Sequence, residues 1–277
     1  MSVAAEEFEG VDDMRNAVPL QPDTGCVNQE LIAAVSFVIP CHNEEANVRR
    51  LTMELIRFYD CYIHEIIIVD DNSTDRTAEV TRELSEKEPR IRLVRRTPPA
   101  GVGGALRDGY AAATGRFILS MDCDFVEILP EFRNLFDAVG SGCDGAIGSR
   151  FSPGSRLVRY PWPKKLANRG FHLLLNLFLG RRIGDISNNL KLYRAEILRG
   201  LRLEESGFAA NAETGLKPLL AGYRIREVPV SWIGRGENMG ASSFKLLRVG
   251  PGYFRVMCRM IWRRWSARYK DVAIDGL

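Results

Sequence analysis

Short apolar runs alternate with amphipathic stretches through the first half of the chain. Four apolar or β-branched runs predict strands at Val35–Pro40, at Glu65–Asp70, at Ile91–Val94 and from Phe117 to Asp122. Between them, apolar residues recur at helical spacing and predict helices at Glu45–Tyr59, Thr74–Lys87 and Gly103–Ala113. Asn72 or Ser73 is the expected N-cap of the second helix. This alternation predicts an α/β fold with a doubly wound, mostly parallel sheet.

The pattern loosens after Pro130. It predicts helices at Pro130–Val139, Lys164–Leu179 and Ala212–Ala221, and strands at Ala146–Ser149, Leu190–Tyr193 and Tyr223–Val230. A long basic loop broken by prolines, Arg150–Pro163, precedes the second of these helices. Loops of this length inside a compact domain are usually functional.

The two ends of the chain differ from the middle. Residues 1–33 begin with a polar, acidic stretch and predict a disordered N-terminal tail, followed by a globular domain at 34–240. Residues 241–277 are basic and predict amphipathic C-terminal helices with a break at Gly250–Gly252.

The last predicted helix, from Tyr253 to Arg268, has two distinct arcs. One carries mainly aromatic and apolar side chains, and the other carries Arg255, Arg259 and Arg263. This pattern predicts a helix that lies on an anionic membrane surface. The alternative is a helix that packs on its own domain or on a partner subunit.

Composition and charge exclude some classes of protein, such as nucleic-acid-binding and membrane-spanning proteins. A net charge of +3 on 277 residues is too small to indicate nucleic-acid binding. The best apolar stretch, Phe171–Leu179, is too short to span a bilayer. The six cysteines form no C-x-x-C pair, which predicts reduced thiols and a cytoplasmic protein.

Acidic or polar residues follow three of the predicted strands. They are Asn43 and Glu44, Asp70 and Asp71, and Asp122 and Asp124. The carboxyl ends of parallel strands meet at one sheet edge, where open α/β sheets bind ligands. In an extended backbone Asp122 and Asp124 point to the same side, and such a pair suits Mg²⁺ or Mn²⁺ held together with the phosphates of a nucleotide. The alternative is a pair of solvated turn aspartates.

Four motifs, in this order, resemble glycosyltransferase family 2. They are SFVIPCHNEE from Ser36, IIIVDDNSTDRT from Ile66, GVGGALR from Gly101 and MDCD from Met121. Gly148–Arg150, Asp185–Arg194 and Ser243–Lys245 further resemble the dolichyl-phosphate mannose synthase branch. The resemblance implies a GT-A fold and an inverting enzyme that moves a sugar from a nucleotide-diphospho-sugar (GDP-mannose or a UDP-sugar) to a polyprenyl phosphate.

The resemblance also implies roles for individual residues. Nucleotide contacts fall on Pro40, Asn43, Glu44, Asp70, Asp71 and Gly103. Metal binding and catalysis fall on Asp122 and Asp124, and contacts to the acceptor phosphate fall on Arg150, Lys164 and Arg235. Such an enzyme would act on the cytoplasmic face of a membrane, through the C-terminal helix or a membrane-protein partner subunit.

Two alternatives stay open at the level of sequence. Glu213 lies where many family members keep a general base, so the acceptor could be a saccharide or glycolipid hydroxyl. A non-catalytic nucleotide-binding subunit is the other alternative. The chain also departs from the branch: Val126 stands where Gln is usual, Asn188-Asn189 where Ser-Gly is usual, and Lys164 where Arg is usual.

Overall fold

The computed structural model describes residues 28–234 and 246–266. The strands are β1 (Val35–Cys41), β2 (Ile63–Asp70), β3 (Ile91–Arg95), β4 (Phe117–Ser120), β5 (Gly145–Ser149), β6 (Leu157–Val158), β7 (Lys191–Arg194), β8 (Ile225–Pro229) and β9 (Trp232–Ile233). The α-helices are α1 (Glu45–Tyr59), α2 (Thr77–Lys87), α3 (Val102–Ala112), α4 (Arg133–Gly140), α5 (Trp162–Leu179), α6 (Ala195–Arg199), α7 (Ala210–Leu220) and α8 (Leu246–Trp265).

Seven strands form one sheet in the order β3-β2-β1-β4-β7-β5-β8. β7 runs antiparallel to both of its neighbours, and the other pairings are parallel. β6 and β9 form a separate parallel pair. The predicted α/β fold with a mostly parallel sheet is therefore confirmed, and the reversed strand β7 is an addition to it.

Both faces of the sheet are covered by helices. On β1, Phe37 and Ile39 pack in the same apolar cluster as Leu51 and Leu55 of α1, because alternate strand residues point to the same face. Val38 points to the opposite face and joins the cluster that contains residues of α3, α5, α7 and α8. β1 is consequently a nearly uninterrupted buried run, as expected of a central parallel strand.

Two predicted boundaries near the sheet edge are wrong. α2 begins at Thr77 rather than Thr74, because the Asp75 carboxylate accepts hydrogen bonds from the backbone N–H and the hydroxyl of Thr77 (3.0 and 2.5 Å). β4 ends at Ser120, before Asp122. The extended spacing assumed for Asp122 and Asp124 is therefore not observed: Asp122 opens a turn in which its carbonyl accepts from the Phe125 N–H.

Two further predictions concern the N-terminal segment and the cysteines. The tail predicted for residues 1–33 overlaps the described residues only from Asn28, and there it is wrong, since Gln29–Leu31 form a 3₁₀ turn and Leu31 is fully buried. Residues 1–27 lie outside the described part. Cys41, Cys123, Cys143 and Cys258 are free, as predicted, but Cys61 is disulfide-bonded.

The C-terminal helix α8 packs on the domain and is not broken at Gly250–Gly252. Val256, Met257 and Met260 are buried in the apolar cluster below the sheet. The basic arc faces inwards, because Arg255, Arg259 and Arg263 form ion pairs with carboxylates of the domain. The basic arc is therefore engaged by the domain, and the alternative of a helix that packs on its own domain is observed. Membrane contact through the exposed aromatic side chains of this helix stays a prediction.

Within the described residues, no helix is both long and apolar enough to cross a bilayer. Two helices that pack together nevertheless expose large apolar side chains. We call this set the apolar face: Trp162, Leu166, Leu173, Leu174, Leu177 and Phe178 of α5, with Phe254, Trp262 and Trp265 of α8. Contact between the helices includes an edge-to-face pair of Phe171 and Tyr253, with ring centroids 5.5 Å apart.

Candidate active site

A cavity of about 500 Å³ lies at the carboxyl edge of β1, β2 and β4. Its lining comes from the loops that follow these strands, from the N-terminus of α3, from the segment before β7, and from α5, α7 and α8. The carboxyl ends of the parallel strands converge here because these strands share one direction. β7 is antiparallel to them, so its N-terminal end lies at the same edge.

Asp122 and Asp124 both line this cavity. Burial and the neighbouring Asp124 carboxylate raise the pKa of Asp122 to about 6. Within the described residues, no group of three or more His, Cys, Asp or Glu side chains is placed to hold a metal. Two adjacent carboxylates in a partly dry site fit a divalent cation that brings its other oxygen ligands from a diphosphate or water.

Asn189 supports this carboxylate pair from the start of β7, the neighbour of β4 in the sheet. Its Nδ2 donates a hydrogen bond to Oδ1 of Asp122 (2.9 Å), and its side chain is almost fully buried. The sequence pattern could not predict this contact, because it depends on β7 being antiparallel to β4. The position stood out in the sequence only as a departure from the Ser-Gly of the family branch.

Of the residues predicted to contact the nucleotide, Pro40, Glu44 and Asp71 line the cavity. Asp71 is already engaged: one oxygen accepts from the backbone N–H of Gly101 (2.6 Å), and the other contacts Arg96. Asp71 therefore shapes the loop that leads into α3 as well as facing the cavity.

Asn43, Asp70 and Gly103 do not form part of the lining. Oδ1 of Asn43 accepts from the Thr74 N–H (2.8 Å), and Oδ1 of Asp70 accepts from the Ser73 N–H (2.9 Å), so both side chains hold the loop after β2. Gly103 approaches a neighbouring loop so closely that an added Cβ would lie 2.1 Å from the Glu205 carbonyl oxygen. The structure thus gives these three residues supporting positions behind the cavity.

Arg150 lines the cavity, but Asp185 compensates its charge. Nε and one terminal nitrogen donate to the two oxygens of Asp185 (2.6 and 2.8 Å), and both side chains are buried. Although burial alone would raise the pKa of Asp185, the Arg150 charge lowers it to about 2. Arg150 therefore stays fixed and ionised beside the cavity.

Lys164 also lines the cavity, above two aromatic rings. Its Nζ lies 4.5 Å from the ring centroid of Trp232 and 5.4 Å from that of Tyr160. Burial and the Arg150 charge lower the pKa of Lys164 to about 8. Arg235, predicted beside these cations, lies outside the described residues.

Glu213 is not placed to act as a base. It is fully buried, and its Oε2 accepts from the backbone N–H groups of Glu204 (2.8 Å) and Glu205 (2.9 Å). Its Oε1 pairs with Lys217 (3.0 Å) and Arg259 (3.2 Å), and it does not belong to the cavity lining. In this arrangement the carboxylate holds the segment before α7 against α8, which does not support the predicted catalytic role; that role stays a prediction.

The cavity opens on the apolar face. Leu174 and Phe254 both line it, and both are exposed, by 40% and 61%. Phe171, which is half-buried, and Met257, which is buried, continue this wall into the cavity. One end of the cavity therefore carries carboxylates and cationic side chains, and the other end is lined by apolar side chains.

Comparisons with known proteins agree with this architecture. The sequence model of Glycosyl transferase family 2 matches residues 36–202. The dolichol-phosphate mannosyltransferase of Pyrococcus furiosus is 32% identical over 223 residues, which cover 77% of this chain and only 62% of that relative. The undecaprenyl-phosphate mannosyltransferase of Micrococcus luteus is 28% identical over 239 residues, which cover 84% of this chain and 96% of the relative.

Among solved structures, the glucosyl-3-phosphoglycerate synthase of Mycobacterium tuberculosis superposes with a TM-score of 0.63 at 21% identity, over 83% of this chain and 79% of that one. That enzyme was crystallised with Mn²⁺, uridine diphosphate and glucosyl-3-phosphoglycerate. At this identity the likeness shows a shared fold.

Proposed function

The chain belongs to glycosyl transferase family 2, and we propose that it moves a sugar from a nucleotide-diphospho-sugar to a polyprenyl phosphate, with inversion at the anomeric carbon. One observation carries the proposal: a single cavity combines a carboxylate pair, two cations and a hydrocarbon wall that reaches the surface. The names of two relatives, a dolichol-phosphate and an undecaprenyl-phosphate mannosyltransferase, support the choice of acceptor.

In this proposal the donor occupies the acidic end. Asp122 and Asp124 hold Mg²⁺ or Mn²⁺, and Pro40, Glu44 and Asp71 border the nucleoside. The cation, when bound, neutralises charge on the diphosphate leaving group. Mn²⁺ and uridine diphosphate in the mycobacterial structure support a metal-bound donor of this kind.

The acceptor phosphate is proposed to lie beside Arg150 and Lys164. A phosphate oxygen is already ionised, so it can attack the anomeric carbon without a general base, while the bond from that carbon to the diphosphate breaks. Positive charge is then needed only to position the acceptor and to offset its repulsion from the donor. This fits a site in which Glu213 is buried in ion pairs.

The hydrocarbon chain of the acceptor is proposed to leave the cavity between α5 and α8. Leu174 and Phe254 lie at this opening, and both belong to the apolar face. Exposed apolar patches of this kind mark membrane or protein interaction sites. We propose that this face rests on the cytoplasmic side of a membrane, so that the lipid never has to leave the bilayer fully.

A transfer assay tests the proposal. Purified protein is incubated with GDP-mannose, UDP-glucose or UDP-galactose and Mn²⁺, with undecaprenyl phosphate, with undecaprenol, or with a free saccharide. Metal-dependent sugar transfer to undecaprenyl phosphate alone is the expected result. Transfer to the saccharide would identify a hydroxyl acceptor, and nucleotide binding without transfer or donor hydrolysis would identify a non-catalytic subunit.

A further inference from the structure

Two buried carboxamides in the lining of the cavity have side-chain oxygens that accept no hydrogen bond from the described residues. Asn189 and Asn211 both line the cavity and are only 1% and 5% exposed. Within the part of the chain that the structure describes, neither Oδ1 accepts a hydrogen bond. A buried acceptor without a donor costs free energy comparable to a lost hydrogen bond, so such an atom needs an explanation.

The backbone around both residues is fixed by one buried lysine. Nζ of Lys191 donates to the backbone carbonyl of Asn188 and to that of Asn211, the latter over 2.9 Å. Lys191 is fully buried and lies at the start of β7, so it ties this strand to the first turn of α7. The two carboxamides are thus held in place from behind, which is the arrangement expected of a preorganised binding site.

The chemistry of the two oxygens limits what binds them. A carboxamide oxygen accepts hydrogen bonds, so its ligand must present O–H or N–H donors. Phosphate oxygens present none at neutral pH, whereas each hydroxyl of a sugar presents one. Asn189 also contacts Asp122 directly, so a group bound to both amides lies next to the carboxylates proposed to hold the diphosphate.

We propose that Asn189 and Asn211 bind hydroxyl groups of the donor's sugar and select between sugars by the position of those hydroxyls. This inference rests on the proposed function, since it assumes a nucleotide-sugar donor. It gives a specific meaning to the Asn188-Asn189 pair, because a Ser-Gly sequence would supply no carboxamide at position 189. A neutral amide also recognises a neutral hydroxyl without adding charge to an acidic site.

Calorimetry with matched ligands tests the inference. GDP-mannose is compared with GDP, and UDP-glucose with UDP, each with Mn²⁺. Asn211→Ala is expected to weaken binding of the preferred nucleotide sugar about 5- to 10-fold, the scale of one hydrogen bond, and to leave the affinity for the nucleoside diphosphate unchanged. Asn134→Ala is the matched control, because Asn134 is a partly buried asparagine that donates to the Pro229 carbonyl away from the cavity.

A second measurement does not depend on a variant that folds. Donor analogues that each lack one sugar hydroxyl are titrated into the unaltered protein, and at least one is expected to bind about 5-fold more weakly than the parent. In Asn211→Ala the penalty for that hydroxyl should disappear, since the partner is gone.

The outcomes separate the inference from the proposed function. Equal binding of all deoxy analogues, or equal weakening of sugar nucleotide and nucleoside diphosphate by Asn211→Ala, overturns the sugar subsite and leaves the transferase intact. A loss of Mn²⁺ affinity in Asn211→Ala also overturns it, because the oxygen would then be a metal ligand. If the unaltered protein binds no nucleotide sugar, the proposed function fails as well.

Discussion

Nδ2 of Asn189 donates a hydrogen bond to Oδ1 of Asp122 over 2.9 Å, although the two residues are 67 positions apart in the sequence, Asp122 just after β4 and Asn189 just before β7. The bond favours the ionised carboxylate, which burial and Asp124 disfavour. It also leaves the other Asp122 oxygen free of this contact and fixes the orientation of the carboxyl group. Asn189 therefore belongs to the machinery that prepares the proposed metal site.

Asp124→Asn should keep the fold and reduce sugar transfer by about 10²-fold or more, because it removes one charge at the position where the diphosphate charge develops. Steady-state transfer rates and a thermal melt measure the two effects. Chelation by EDTA should abolish transfer by the unaltered protein, and added Mn²⁺ should restore it. Undiminished transfer in excess EDTA would show that the carboxylate pair has another role.

Lys164 should make kcat/KM for the acceptor fall at high pH, which gives the pH–rate profile a basic limb. Its pKa is lowered to about 8, and only the ammonium form attracts phosphate, so kcat/KM for the lipid phosphate should fall as the pH rises above about 8. Lys164→Arg should move this fall to higher pH, because guanidinium stays protonated. Lys165→Arg, on an exposed neighbour, is the control and should keep the limb. If kcat/KM of Lys164→Arg fell at the same pH as that of the unaltered protein, another group would be responsible for the fall.

Glu213→Gln should destabilise the protein by about 3 kcal/mol, the scale for breaking a buried ion pair, because Lys217 and Arg259 lose the more deeply buried of the two carboxylates that they share and keep only Glu204 in common. At a temperature where the variant remains folded, its kcat should stay within about threefold of the unaltered enzyme. Urea unfolding and transfer assays measure these two quantities. A fully stable variant with kcat reduced 10²-fold would restore Glu213 as a base.

The apolar face should bind lipid. The double variant Leu173→Glu and Leu177→Glu changes side chains that are 69% and 72% exposed, so folding should be unaffected. Cosedimentation with phosphatidylglycerol vesicles should fall about tenfold or more, since each leucine contributes roughly 1.5 kcal/mol or more when buried. Met53→Glu is the control, because Met53 is also mostly exposed (61%) but lies on α1. Equal loss in both proteins would point to a charge effect alone.

Glu65, which lies far from the active site, should make the free energy of unfolding sensitive to acid. Burial would raise its pKa, but hydrogen bonds from Thr114 and Ser36 and the contact with Arg92 lower it to about 2. Because the folded-state pKa lies below the unfolded value of 4.5, this stabilisation is complete above pH 4.5 and disappears as the pH falls towards 2. Glu65→Gln should therefore cost about 2 kcal/mol at pH 7 and much less at pH 3, measured by urea unfolding.

Much of the first half was predictable because its signals are local. The apolar runs of β1 and β2 and the helical spacing of α1 depend only on neighbours in the sequence. The acidic residues that follow these strands had to share one edge once the strands were parallel. This is why the sequence places Glu44, Asp71, Asp122 and Asp124 at one edge of the sheet, where all four line the cavity; Asn43 and Asp70, predicted with them, lie behind it.

The second half resisted prediction because its contacts are between distant segments. The four-residue sequence of β7 does not indicate whether the strand is parallel or antiparallel to its neighbours. Its direction nevertheless decides that Asn189 reaches Asp122. The basic arc of α8 has the composition of a membrane-binding surface. The sequence does not show that Glu204, Glu205 and Glu213 lie beneath it and pair with it. The amphipathic pattern identified the helix correctly but not its partner.

The reversed strand also has a consequence for the order of folding. β1, β2 and β3 follow one another along the chain and are neighbours in the sheet, so these three strands can pair from nearby segments. β4 pairs with β1 (Val35 with Phe117) and with β7 (Ser120 with Lys191), each time across a long intervening chain, and contacts of that kind form slowly. We expect β1, β2 and β3 to acquire hydrogen-exchange protection first and the cavity to be completed only when β4 and β7 enter the sheet.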